Sequence, residues 1–326
     1  MKLRPEKQIC SSKEDRDRLS ELPDDLIVRI LSCLPTIDAV RTVLLRRFGN
    51  LWTFIHTLKF DYSDYLKKFF NCERRMMSFR CFIRNVLRLH QNPSINTFNL
   101  SIVFDKAAVN DLREWFKFAL DRQAKEISLY DGYVFNIDCS SMLPNLTSQF
   151  LVTLDLKYCK FEGELQVNLG SLKKLSLYRV HMSDENFQRF IFGCPSLQEL
   201  VIADLYWPNN LSFSAPNIEK LSLLLNEGIQ LQSSYPFSLN LPNLKSLYLK
   251  IGFWELNIID VSSVRDIYVK YFKVRVKYND LQSFTTKKMF EKLENIEVFQ
   301  LSKDASKVCT SPFFSCFSFL YRCNDD

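Results

Sequence analysis

Apolar side chains recur along this chain in two different rhythms. Near the front, residues 22–34 read LPDDLIVRILSCL, with apolar positions at Leu22, Leu26, Ile27, Ile30, Leu31 and Leu34. Steps of three and four residues gather these positions on one side of an α-helix. Pro23 suits the start of that helix, and Asp24 and Asp25 suit its first turn, where carboxylates meet the positive end of the helix dipole. Pro35 ends it, because the residue before a proline disfavours helical backbone. Thr36 is then placed to cap a second helix, running from Ile37 to about Leu45. Helices this short are marginal alone and need one another or a partner. A further helical pattern, with Phe79, Phe82, Ile83, Val86 and Leu87 on one face, runs through residues 63–92 and stops at Asn92-Pro93.

Beyond residue 93 the rhythm becomes L-x-x-L-x-L, with any apolar residue at the three fixed positions. Six consecutive copies begin at Leu151, Leu172, Leu197, Ile218, Leu244 and Val264, 20 to 26 residues apart. Weaker copies begin at Ile95, Ala124 and Ile296. This template and period are the signature of a leucine-rich repeat. Each copy predicts one short strand whose apolar side chains no single repeat can bury, so the repeats must stack into a continuous core. Three residues after the last template position, where asparagine or cysteine usually links repeats, stand Cys159, Val180, Leu205, Asn226 and Gly252. A poor polar ladder and an irregular solenoid are therefore expected. Pro144, Pro195, Pro216 and Pro242 set the turns before strands. The expected fold class is α/β: a helical front module, then a leucine-rich-repeat solenoid with an irregular parallel sheet. The expected division is a disordered tail at 1–17, the front module at 18–62, a bridging helix at 63–92, repeats at 93–303 and an irregular tail at 304–326.

Composition narrows what such a molecule does. Hydrophobic residues make up 47% and charged residues 25% of the 326, which suits a folded protein with a sizeable core. Only 7 glycines are present, too few for glycine-rich phosphate loops. The net charge of +6 is uneven: residues 1–92 hold 18 basic and 11 acidic residues, the remainder 25 and 26. A basic front can meet nucleic acid or an acidic protein, but Arg74–Arg88 lies within a helical pattern and reads as a solvated face, so no nucleic-acid partner is expected. The N-terminus lacks the apolar core of a signal peptide, and no apolar run is long enough to cross a membrane. Ten cysteines without a C-x-x-C pair suit free thiols in a reducing, intracellular setting, nucleus or cytoplasm, and the sequons at Asn145 and Asn210 read as chance. His56, His90 and His181 lie in different segments, and Cys309, Cys316 and Cys323 have no completing ligand, so no metal and no cofactor is expected. No nucleophile, phosphate-loop or dinucleotide motif occurs, which argues against an enzyme.

The run from Asp17 to Thr53, DRLSELPDDLIVRILSCLPTIDAVRTVLLRRFGNLWT, resembles an F-box. Its paired Leu-Pro elements, the AVRT at Ala39–Thr42 and the NLW ending at Trp52 are similar to those of the plant F-box/LRR subfamily whose members often end in an FBD domain. Phe79–His90, Asp111–Leu129 and the CPSLQEL at Cys194–Leu200 resemble further parts of that subfamily. The resemblance implies a non-catalytic, substrate-recruiting subunit of an SCF-type ubiquitin ligase. The F-box would bind a Skp1-like adaptor, and through it a cullin; the repeats would bind an unknown target. The docking face it implies comprises Leu22, Pro23, Ile30, Leu34, Pro35 and Val40, residues that a helical hairpin could equally use as its own core. Trp52 reads as internal packing. AVRTVLLRRF is one residue shorter than the family's usual stretch, and Phe48 replaces a tryptophan. The runner-up reading is therefore a repeat-based interaction module whose degenerate F-box no longer docks. The ending SPFFSCFSFLYRCNDD lacks the family's acidic and aromatic region, so the FBD is expected to be absent or truncated.

Overall fold

The computed structural model describes residues 21–45, 47–68, 75–102, 109–131, 139–141, 145–204, 212–224, 237–251, 256–258, 263–271, 296–301 and 321–323. The expected tail at 1–17, the cysteines at 309 and 316, the sequon at Asn210 and the positions Leu205, Asn226 and Gly252 lie outside these residues.

The front module is a hairpin of two helices, α1 (Asp24–Cys33) and α2 (Thr36–Arg41). Ile27, Val28 and Leu31 are buried on the first, and Thr36, Ile37 and Ala39 on the second. The second helix is shorter than the spacing predicted. It gives way at Thr42–Leu44 to a 3-10 turn, where β-branched Thr42 and Val43 favour helix weakly and the Thr42 hydroxyl donates back to the Ala39 carbonyl at 2.6 Å. Thr36 is not a cap. Pro35 holds the N-cap position, and the buried Thr36 hydroxyl instead accepts the Lys59 amide at 2.7 Å. Phe48 and Trp52 are buried, Trp52 in the 3-10 turn Leu51–Phe54 that follows.

Among the described residues, eleven parallel strands stack in chain order into one sheet: β1 (Thr57–Asp61), β2 (Thr97–Ile102), β3 (Glu126–Asp131), β4 (Thr153–Lys157), β5 (Lys174–Tyr178), β6 (Glu199–Ala203), β7 (Lys220–Leu224), β8 (Ser246–Ile251), β9 (Asp266–Tyr271), β10 (Val298–Leu301) and β11 (Tyr321–Cys323). The period-2 alternation of strands puts every second residue into the core. Leu58, Phe98, Ile127, Leu154, Leu175, Leu200, Leu221, Leu247 and Ile267 stand in one register row, and none is more than 1% exposed. The sheet starts earlier than expected. Ile55, Leu58 and Phe60 are a further, buried copy of the template, inside the segment assigned to the front module.

Polar links between repeats are carried by side chains just before the template starts. Ser171, Ser196, Asn217, Asn243 and Ser263 each directly precede a template start. Each donates its side chain to a backbone carbonyl of the previous repeat, at Gln149, Gly170, Pro195, Pro216 and Pro242, over 2.6–2.8 Å. A proline has no amide hydrogen to offer but keeps its carbonyl, which is what the last three of these links use. The buried Asn186 adds another link. Its amide donates to the Phe161 and Gly163 carbonyls and accepts from Leu165 N–H.

Among the described residues the return segments differ from repeat to repeat. Helices α3 (Tyr62–Lys68) and α4 (Arg75–Leu89) stand where one bridging helix was expected, followed by α5 (Val109–Asp121) and α6 (Asp184–Gly193). Between later repeats run short parallel pairs, such as Asn145–Thr147 with Gln166–Asn168. Helix α6 packs closely there: a Cβ on Gly193 would lie 2.3 Å from the Val167 carbonyl oxygen. Immediately after β4, β5 and β6, Tyr158, Arg179 and Asp204 adopt left-handed backbone with φ of 59°, 47° and 47°, a conformation costing roughly 1–2 kcal/mol for a residue with a Cβ.

Candidate functional site

The helical hairpin presents an apolar surface that the fold does not use. Leu26 is 38%, Ile30 42%, Val43 49%, Leu44 85% and Leu45 51% exposed, and Pro23, Cys33 and Pro35 are exposed beside them. Clustered apolar residues of this kind mark an interaction surface more often than single ones do. Of the six residues implied for docking, Pro23, Ile30 and Pro35 are exposed, whereas Leu22, Leu34 and Val40 are half-buried and pack against the core. The family-based list omitted Leu26 and the Val43–Leu45 turn. Spacing alone, which ran the second helix on to about Leu45, could not find that turn: only the end of α2 at Arg41 leaves three consecutive apolar residues that cannot all point at one core. Arg47 fastens this turn to the start of α1, with an ion pair to Asp24 at 2.5 Å and a hydrogen bond to the Leu22 carbonyl at 3.0 Å.

The hairpin is joined to the solenoid by side chains rather than by chain connectivity alone. Ser32 accepts the His56 amide at 2.9 Å. Asn92 donates to the Phe54 carbonyl at 2.7 Å and to His56 Nδ1 at 3.0 Å. His90, only 3% exposed, donates from Nε2 to the Ile55 carbonyl at 2.9 Å. Arg122 at the end of α5 donates to the carbonyls of His90 and Asn92. Burial pushes the His90 imidazole below its ordinary pKa against the Ile55 hydrogen bond, which raises it, and the charges of Arg122 and His56 lower it further.

The basic stretch on α4 is not simply a solvated face. Arg80 and Arg84 both bind the carboxylate of Asp111 on α5, at 2.5 and 2.7 Å, and that carboxylate is 7% exposed. On the solenoid, Lys174–Glu199 and Lys245–Glu219 pair between neighbouring repeats at 2.6 and 3.0 Å. Among the described residues no group of three or more His, Cys, Asp or Glu could hold a metal ion. Among the same residues no helix is long and apolar enough to cross a membrane.

Residues 19–53 match the F-box domain, and residues 86–322 match the family described as At1g61320/AtMIF1, LRR domain. The chain belongs to the F-box/LRR-repeat family. Among its Arabidopsis thaliana relatives, the FBD-associated F-box protein At5g56400 is 31% identical over 97% of this chain and 68% of its own length. The F-box/FBD/LRR-repeat protein At2g04230 is 29% identical over 95% of this chain and 69% of its own. The FBD-associated F-box protein At4g10400 is 30% identical over 72% of this chain and 55% of its own. This F-box/LRR protein is thus a protein-interaction module: its F-box is the helical hairpin with the exposed apolar face, and its repeats form the parallel sheet.

Proposed function

We propose that this F-box/LRR protein is a substrate-recruiting adaptor of an SCF-type ubiquitin ligase, acting inside the cell. It docks a Skp1-like adaptor, and through it a cullin, by the face carrying Pro23, Leu26, Ile30, Pro35 and Leu44. The observation that carries this reading is the exposure of so many apolar side chains on a hairpin whose own core is complete without them. Leu22, Leu34 and Val40 support the face from below. The protein supplies no catalytic residue; it raises the local concentration of a target held by the repeats near the ubiquitin-charged enzyme.

The alternative is a repeat-based interaction module with a non-docking F-box, suggested by the residue missing after Thr42. A deletion inside an α-helix would turn everything downstream by about 100°. Here the shortened stretch falls in the 3-10 turn beyond α2, with Leu22 to Val40 upstream of it, which favours retained docking. The test is capture of a purified Skp1-like adaptor by the full chain. Capture is expected, and its failure with a folded chain would leave the alternative.

A further inference from the structure

The apolar surface of the hairpin comes from two separate stretches of chain. Leu22, Pro23 and Leu26 stand at the start of α1, half-buried or exposed. Val43, Leu44 and Leu45 stand on the turn beyond α2. Burial does little to hold the second stretch, whose three side chains are 49%, 85% and 51% exposed. Its backbone is a single 3-10 turn, with poorer hydrogen-bond geometry than an α-helix. Two local bonds brace it. The Thr42 hydroxyl donates to the Ala39 carbonyl at one end, and at the other the amide of buried Phe48 donates to the Leu45 carbonyl at 3.0 Å.

Arg47 adds a long-range brace, to residues more than twenty positions back. One of its nitrogens, Nη2, donates to the Leu22 carbonyl at 3.0 Å and lies 2.5 Å from the Asp24 carboxylate. The pair is open to solvent, with the Asp24 side chain 62% and the Arg47 side chain 39% exposed. An ion pair so exposed contributes little to folding. Its leverage is on where the turn stands against α1. A surface already held in its bound shape loses less conformational freedom on association, and so binds more tightly.

We infer that Arg47 is a positioning residue for adaptor docking: by clasping Leu22 and Asp24 it holds the Val43–Leu45 turn beside the apolar start of α1, so that the two stretches meet the adaptor as one face. The inference rests on the docking reading above and deepens it. Arg47 acts through the turn, with Nη2 directed at the protein's own carbonyl and carboxylate rather than at the partner.

The test is titration calorimetry of the full chain with the purified Skp1-like adaptor, alongside the melting temperature of every variant. Arg47→Met keeps a long apolar stem and removes charge and donors. It should weaken binding roughly fivefold at unchanged melting temperature. Arg47→Lys should restore most of that loss, because one ammonium nitrogen can serve both acceptors as Nη2 does. Asp24→Ala should weaken binding too, and adding it to Arg47→Met should cost nothing further, since the clasp is already gone.

Four results would overturn the inference: wild-type affinity for Arg47→Met, a loss matched by a fall in melting temperature, no recovery with Arg47→Lys, or losses that add in the double variant. Additive losses would place Arg47 directly against the adaptor. In each of these cases capture of the adaptor by the wild-type chain leaves the docking reading standing. A folded wild-type chain that fails to capture the adaptor removes that reading and this inference with it.

Discussion

Leu44 and Ile30 differ twofold in exposure, and their contributions to docking should differ in the same proportion. Complete burial of a leucine or isoleucine side chain stabilises by roughly 1.5–3 kcal/mol. Leu44 is 85% and Ile30 42% exposed. Scaling about 2 kcal/mol by those fractions leaves about 1.7 kcal/mol for Leu44 and about 0.8 kcal/mol for Ile30 to be gained on docking. Leu44→Ala should then raise the Kd for a Skp1-like adaptor roughly ten- to twentyfold, and Ile30→Ala about fourfold. Leu44→Ala should leave the melting temperature alone, since almost nothing in the fold touches that side chain. Ile30→Ala should lower it slightly. Leu31→Ala, at a position 4% exposed, is the control that unsettles the hairpin instead of the surface. Titration calorimetry with the purified adaptor reads the affinities, and scanning calorimetry of each variant reads the fold. Changes under twofold for both surface variants would refute the face as drawn. An equal loss from Ile30→Ala and Leu44→Ala would refute the scaling.

Other expectations concern the fold and its titration. Leu200→Ala, at a side chain with no exposed surface between Leu175 and Leu221, should cost about 2–5 kcal/mol in urea unfolding; a loss below 1 kcal/mol would mean the repeats do not share one core. His90 is held neutral by burial, with its folded pKa below 6.5. The unfolded chain therefore takes up a proton that the folded one refuses, so this stability is full above about pH 6.5 and declines as pH falls below it. His90→Gln should flatten the fall in melting temperature between pH 7 and 5, and parallel profiles for the two proteins would count against it. Burial pushes the Cys194 thiol up to about 12, so iodoacetamide at pH 8 should label the exposed Cys33 and spare Cys194 until the chain unfolds. Mass mapping of a brief labelling pulse decides it.

Features set by local spacing were legible from the chain alone. Steps of three and four residues predicted α1, and the L-x-x-L-x-L template predicted the strands from β2 to β10. Features set by distant partners were not. Thr36 looked like a cap because its neighbours suit one, but its partner, the Lys59 amide, is 23 residues away. Arg80 and Arg84 looked solvated because Asp111 is about thirty residues off. The first strand was hidden because Ile55 follows an apolar run with no turn signal to separate them. The links made by Ser171, Ser196, Asn217, Asn243 and Ser263, one residue before a template start, were not anticipated, because their acceptors are carbonyls more than twenty residues back. The exposed apolar face was half legible: helical spacing locates Ile30, but only the early end of α2 turns Val43 to Leu45 outward.

A stack of parallel strands ends in a bare edge, and bare edges recruit other chains. At β1 that edge meets the hairpin, with Ser32 and Thr36 hydroxyls receiving the amides of His56 and Lys59. The helices that carry the exposed apolar surface are thus also the solenoid's lid at that end. Cutting them away would not release a tidy set of repeats; it would leave a sticky template. On the proposed adaptor role, a descendant that gave up docking would have to keep both helices and shed only the apolar side chains on the outer side, so such a loss would be written in point substitutions rather than in a missing domain.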